Sequence, residues 1–212
     1  MTIEEKIKIM KTHPLFKGLD NEALDFIARR TQEKIFRPHT IIIHHGEQAT
    51  AVYIIYKGLF KIYITNEEGK QIPVRTTGEK YFVGDLGVVD NDPVPATVET
   101  LQETHVFIVK KEDFNLIISK YTPFAINLLH LWGQKVRGAN RQREINYSLQ
   151  LKDRTMVTLH TLASYFPNHE ITLSHEELAS ILGATRSRVT EVLNEFEKEK
   201  RIALSNRKIK VL

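Results

Sequence analysis

Across residues 173–202 the apolar positions fall at helical spacing in two short runs separated by a glycine. Leu178, Ile181 and Leu182 form the first run, and Ser174 followed three residues on by Glu177 is the capping box that starts a helix. Gly183 ends that helix in a tight turn. Thr185 is the expected N-cap of a second helix, in which Val189, Val192, Leu193 and Phe196 share one face. At about 100° per residue the opposite face carries Ser187, Thr190, Glu191 and Asn194, and the first turn is basic. Residues 202–204 and 208–211 then read as two short strands around Ser205-Asn206-Arg207. Two helices about a glycine and a terminal hairpin make a winged helix-turn-helix, a pattern that places its second helix in a DNA major groove.

Upstream the periodicity is that of strands. Residues 40–43, 52–56, 59–64, 71–75, 96–100 and 104–109 are short β-rich runs, punctuated by Gly46, Gly58, Gly69, Gly78 and the pair Gly84 and Gly87. So many short strands predict a β-jelly roll. The opening residues through Arg30 read as helical, with Asp20 as a cap and Leu19 and Leu24 placed as a hydrophobic staple. After Val109 the pattern turns helical: 110–119, a long helix from Pro123 to about Leu149, and 153–165. Along the long helix Leu128, Leu131, Trp132, Val136 and Ala139 form a seam that fits coiled-coil packing against a partner, although Gly133 and Gly138 each cost about 1 kcal/mol relative to alanine. The expected class is α+β, with a jelly roll over 1–119, a long linker or partner-packing helix over 120–150 and a winged helix over 151–212.

Composition narrows the functions. The chain has no cysteine, which removes disulfides, thiol redox sensing and cysteine-ligated iron–sulfur clusters. No apolar run approaches a membrane span, and the charged opening MTIEEKIKIMK is unlike a signal peptide, so a cytoplasmic protein with no membrane partner is expected. Residues 1–132 hold 16 Lys+Arg against 17 Asp+Glu, whereas 133–212 hold 14 against 9. The basic excess therefore lies where the winged helix would meet phosphate. Jelly rolls also build metal-dependent cupin enzymes, but those use His-x-His on one strand face. His44 and His45 are adjacent, His39 and Glu47 do not complete the pattern, and no Ser/His/Asp arrangement stands out. Neither a metal site nor catalytic residues are expected, and no histidine stands in a haem motif.

The order of jelly roll, long helix and winged helix resembles the cyclic-AMP receptor protein/FNR (CRP/FNR) family of bacterial transcription regulators. The resemblance is carried by YFVGDLGVVDNDPVPATVET and LGATRSRVTEVL. It implies a homodimer joined along the long helix, double-stranded DNA with one recognition helix per half-site, and contact with RNA polymerase during activation. The family typically reads bases with an Arg-Glu pair and an Arg four positions after that Glu; Arg186, Ser187 and Glu191 hold those places here. Arg186 can pair bidentately with guanine and Glu191 can accept from a cytosine amine, with Thr190 on the same face. Ser174, Thr185, Arg188, Arg207, Lys208 and Lys210 are the phosphate candidates.

In the family the cyclic nucleotide is held by Gly-Glu-Leu-Gly and a later Arg-Ser-Ala. This chain keeps Gly84-Asp85-Leu86-Gly87 but has Pro95 and Ala96 at the Arg-Ser positions, and Ala139 and Asn140 where members contact the adenine. Pro95 offers a phosphate neither charge nor N–H, a loss of several kcal/mol. The resemblance thus implies a regulator with a degenerate pocket and no dependence on cyclic AMP, its effector unidentified and no cofactor expected. The alternatives are a regulator still gated by a cyclic nucleotide or another small molecule and, more remotely, a cupin-like enzyme.

Overall fold

The computed structural model describes residues 1–69, 71–205 and 208–212. Helix α1 (Ile3–Met10) is closed by a Thr2/Glu5 capping box, and α2 (Asn21–Ala28) by Asp20, which accepts from the Ala23 amide at 2.8 Å. Between them His13 is buried edge-on against Phe16, its Nδ1 accepting from the Leu15 amide at 3.2 Å. Burial pushes the His13 imidazole down to about 4.

Strands β1 (Thr31–Phe36), β2 (Ile41–Ile43), β3 (Ala51–Lys57), β4 (Leu59–Thr65), β5 (Gln71–Gly78), β6 (Tyr81–Val83), β7 (Thr97–Thr100) and β8 (Thr104–Lys110) build the expected jelly roll. They form two four-stranded sheets in the orders β1-β8-β3-β6 and β2-β7-β4-β5. β3 pairs antiparallel with both neighbours, Tyr53 standing opposite Ile108 on one side and Val83 on the other. Phe60, Phe82 and Phe107 fill the core with Val52, Ile54 and Ile55. Helix α3 (Asp85–Asp90) lies between β6 and β7 in the chain, and α4 (Lys111–Lys120) and α5 (Thr122–Ser148) follow β8. Phe114, Ile117, Phe124 and Leu128 of these last two helices belong to the barrel core. α5 runs unbroken through Gly133 and Gly138; the packing of its first turns outweighs their weak propensity.

The C-terminal elements are α6 (Leu151–Ala163), β9 (Glu170–Ile171), α7 (His175–Leu182), α8 (Arg186–Lys198), β10 (Ile202–Ser205) and β11 (Lys208–Val211). The hairpin gains β9 as a third strand, in the order β10-β11-β9. Leu159, Leu178, Val189, Leu193, Phe196 and Ile209 are buried there. Gly183 caps α7 at φ 62°, a left-handed conformation that side chains with a Cβ resist. The chain divides into two compact units, Met1–Ile64 with Thr77–Gly138, and Thr65–Thr76 with Ala139–Leu212. The division falls inside α5.

Candidate functional site

The helix-turn-helix forms as its local pattern predicts. The Ser174 hydroxyl accepts from the Glu177 amide at 3.2 Å while the Glu177 carboxylate accepts from the Ser174 amide at 2.7 Å, so two donors of the first turn of α7 are satisfied. Leu178, Ala179 and Leu182 of α7 and Val189, Leu193 and Phe196 of α8 are buried, which turns the other side of α8 outward. Arg186, Ser187, Arg188, Glu191 and Asn194 are exposed on it. Thr190 is different. It is half-buried, and its hydroxyl lies 2.9 Å from Nδ1 of His175. Thr185 occupies the N-cap of α8 but makes no side-chain cap; its hydroxyl meets that of Ser187 at 3.2 Å instead. Its expected capping bond is thus replaced by a local hydroxyl pair.

The first turn of α7, the start of α8 and the hairpin enclose a cleft of about 710 Å³ lined by Ser174, His175, Glu176, Arg186, Ser205 and Lys208 among others. Three residues far apart in sequence and expected to touch DNA, Ser174, Arg186 and Lys208, thus share one concavity. Lys208 is exposed and reaches the Glu170 carboxylate at 2.7 Å. That hydrogen bond, then the charges of Lys208 and Lys210, hold the Glu170 carboxyl below its ordinary range. Lys210 is exposed, and Arg207 lies outside the described residues.

The barrel motif keeps its loop. Gly84 sits at φ 85°, and a Cβ there would come within 2.5 Å of the Ala51 carbonyl oxygen, so only glycine fits. Gly87 is buried and Leu86 exposed. Asp85, at the Glu position of the family's Gly-Glu-Leu-Gly, is only 3% exposed and already engaged. Lys135 Nζ of α5 meets both its carboxylate oxygens at 2.9 Å, and Trp132 Nε1 donates to one of them at 2.6 Å. The same ammonium donates to the Phe82 carbonyl at 3.0 Å and lies 3.8 Å from the centre of the Phe82 ring. Pro95 is exposed, Ala96 half-buried, and Ala139 and Asn140 exposed.

The residues of the expected seam on α5 divide between the barrel and the outside. Leu128 is 3% exposed inside the barrel core, Leu131 and Trp132 pack against that core, and Trp132 is tied to Asp85. The largest apolar residues of the helix therefore serve their own barrel. Facing outward are Ile126, Leu129 at 63% exposure and Val136 at 62%, with Ala139. His39, His44 and His45 are exposed, and the described residues contain no group of three side chains placed to hold a metal ion. Among the described residues no helix is long and apolar enough to cross a membrane.

Residues 33–121 match the family described as "Cyclic nucleotide-binding domain", and residues 149–212 match "Crp-like helix-turn-helix domain". The chain belongs to the CRP/FNR family. The Cyclic AMP receptor protein of Thermus thermophilus is 23% identical to it over 190 residues, covering 90% of this chain and 88% of the relative. A relative from Lacticaseibacillus casei named "Probable transcriptional regulator flp" is 25% identical over 202 residues, covering 94% of this chain and 91% of the relative. A solved crp/fnr-family structure from Eubacterium rectale shares the fold at a TM-score of 0.76 and 22% identity, over 94% of this chain and 93% of that one. This chain is a CRP/FNR-type transcription regulator with a helix-turn-helix domain of the kind that binds double-stranded DNA.

Within this CRP/FNR protein two side chains that bond to candidate residues escape the sequence pattern. His175 follows the cap residue and reads as an ordinary first-turn residue; its bond to Thr190 spans two helices and has no periodic signature. Lys135 stands 50 residues from Asp85, and only its spacing of three from Trp132 hinted that both share a helix face.

Proposed function

We propose that this regulator binds a two-fold symmetric DNA site as a homodimer and does so without cyclic AMP. The observation that carries the DNA part is the cleft that gathers Ser174, Arg186 and Lys208 beside the exposed face of α8. Arg186 pairs with a guanine and Glu191 accepts from a cytosine amine, with Ser187 beside them. Thr190 contributes through the hydroxyl it shares with His175. Ser174, Thr185, Arg188, Lys208 and Lys210, together with Arg207, contact phosphate and fix register. The second copy packs along Ile126, Leu129, Gly133 and Val136, a stripe spaced three and four apart and exposed on α5 apart from the half-buried Gly133. RNA polymerase is the expected further partner when the protein activates, and the cytoplasm its compartment.

Independence from cyclic AMP is supported by two facts. Pro95 stands where the family places its phosphate-binding arginine, and the Asp85 carboxylate is occupied by Lys135 and Trp132. A purine ribose would have to displace an ammonium held by a carboxylate, a carbonyl and a ring face. Selection of bound sequences from random duplex DNA, with and without cyclic AMP, tests the reading. It predicts the same palindrome in both arms; enrichment only with the nucleotide would support the ligand-gated alternative, and none in either arm would overturn the DNA-binding reading.

A further inference from the structure

The cluster around Asp85 does more than fill a pocket. Trp132 and Lys135 stand three residues apart on one face of α5 and converge on a single buried carboxylate. Two donors on one acceptor set the rotation of a helix about its own axis as well as its depth. Gly133 and Val136 each follow one of those donors and are turned about 100° from it, toward the stripe that includes Ile126 and Leu129. The inward clamp and the outward stripe are therefore one geometric setting.

We propose that Asp85, Lys135 and Trp132 form a built-in substitute for an effector. The Lys135 ammonium permanently occupies the carboxylate and holds α5 at the rotation that offers Ile126, Leu129 and Val136 to a second copy. DNA binding then depends on the clamp rather than on a ligand. This rests on the homodimeric reading above and adds the regulation of that assembly: the protein is held in its binding-competent state by its own side chain.

The test uses the full chain with Asp85→Asn and Lys135→Met combined, which removes both charges without stranding either in the core. Dimer dissociation is measured by sedimentation and DNA affinity on the site selected by the parent, well below the unfolding temperature of each protein. The double variant should lose about tenfold in both, in the range usual for coupling between sites. A control, Asp25→Asn with Arg29→Met, breaks an exposed pair of α2 and should stay within about twofold. A folded double variant that dimerises and binds like the parent overturns the proposal. If that variant does not fold, Trp132→Phe, which deletes one donor, must still weaken both properties, and parent-like values for it overturn the proposal equally. A parent that is monomeric, or that selects no DNA, fails the underlying reading instead.

Discussion

The barrel pocket and the hairpin each hold a lysine against a carboxylate, Lys135 on Asp85 at 2.9 Å and Lys208 on Glu170 at 2.7 Å. The distances are alike and the surroundings are not. Asp85 is buried, and its partner also meets a carbonyl and an aromatic face, so the pair is fixed by everything around it. Glu170 and Lys208 lie at the surface, where water and salt screen their attraction and a phosphate can take the place of the carboxylate. A buried pair is architecture. An exposed pair leaves its charges open to exchange with other ions.

Breaking the buried pair should have the largest effect. Lys135→Met leaves the Asp85 carboxylate buried beside the Trp132 donor without its cation and should lower stability by about 3–5 kcal/mol in urea unfolding, most of which Asp85→Asn in the same chain restores. Equal losses in the single and double variants would show that the charge itself is not at stake.

Next in size is a pH effect near the same wall of the barrel, where His13 packs against Phe82. Its folded value is about 4, below the ordinary 6.5, so the unfolded chain takes up the proton first as pH falls. Stability should drop by roughly 3 kcal/mol between pH 6.5 and 4 and level off below, for this group alone. His13→Asn, which can still cap the following turn, should remove that slope in unfolding measured across the window. At the hairpin the sign runs through a carboxylate: the pairing of Glu170 with Lys208 is complete above the ordinary carboxylate range and is lost as pH falls through the lowered value.

How much of this could be read in the chain depends on how local each interaction is. The helix-turn-helix was legible because its signals, Ser174 with Glu177, Gly183, and the apolar spacing of α7 and α8, each lie within a few residues of the feature they specify. The jelly roll was legible as a class, yet β1 was missed because TQEKIF buries only its two ends firmly and exposes Ile35. On α5 the apolar spacing alone does not say which surface each residue meets. Size and apolarity say that Leu128 and Trp132 seek burial, and here they find it in and against the barrel core. Lys135 was invisible because its carboxylate comes from another element entirely.

On the DNA face the expected effects are smaller and distinguishable. Arg186→Ala should cost about 1–3 kcal/mol of binding and relax preference at one base pair, read by comparing matched and substituted sites. Unchanged affinity would mean that α8 meets DNA with a different turn. Lys208→Ala should weaken all sequences nearly equally and reduce the slope of log affinity against log salt by about 1. Loss of discrimination at a particular base would instead make Lys208 a reader.

The most direct test of a regulator whose pocket is filled from within is a fluorescence-anisotropy titration of the parent on its selected palindrome, with and without saturating cyclic AMP. The account predicts the same Kd in both, falling off steeply with salt. A tightening of about tenfold or more on adding the nucleotide would contradict it, since a ligand can shift the binding-competent state only if Lys135 yields the pocket.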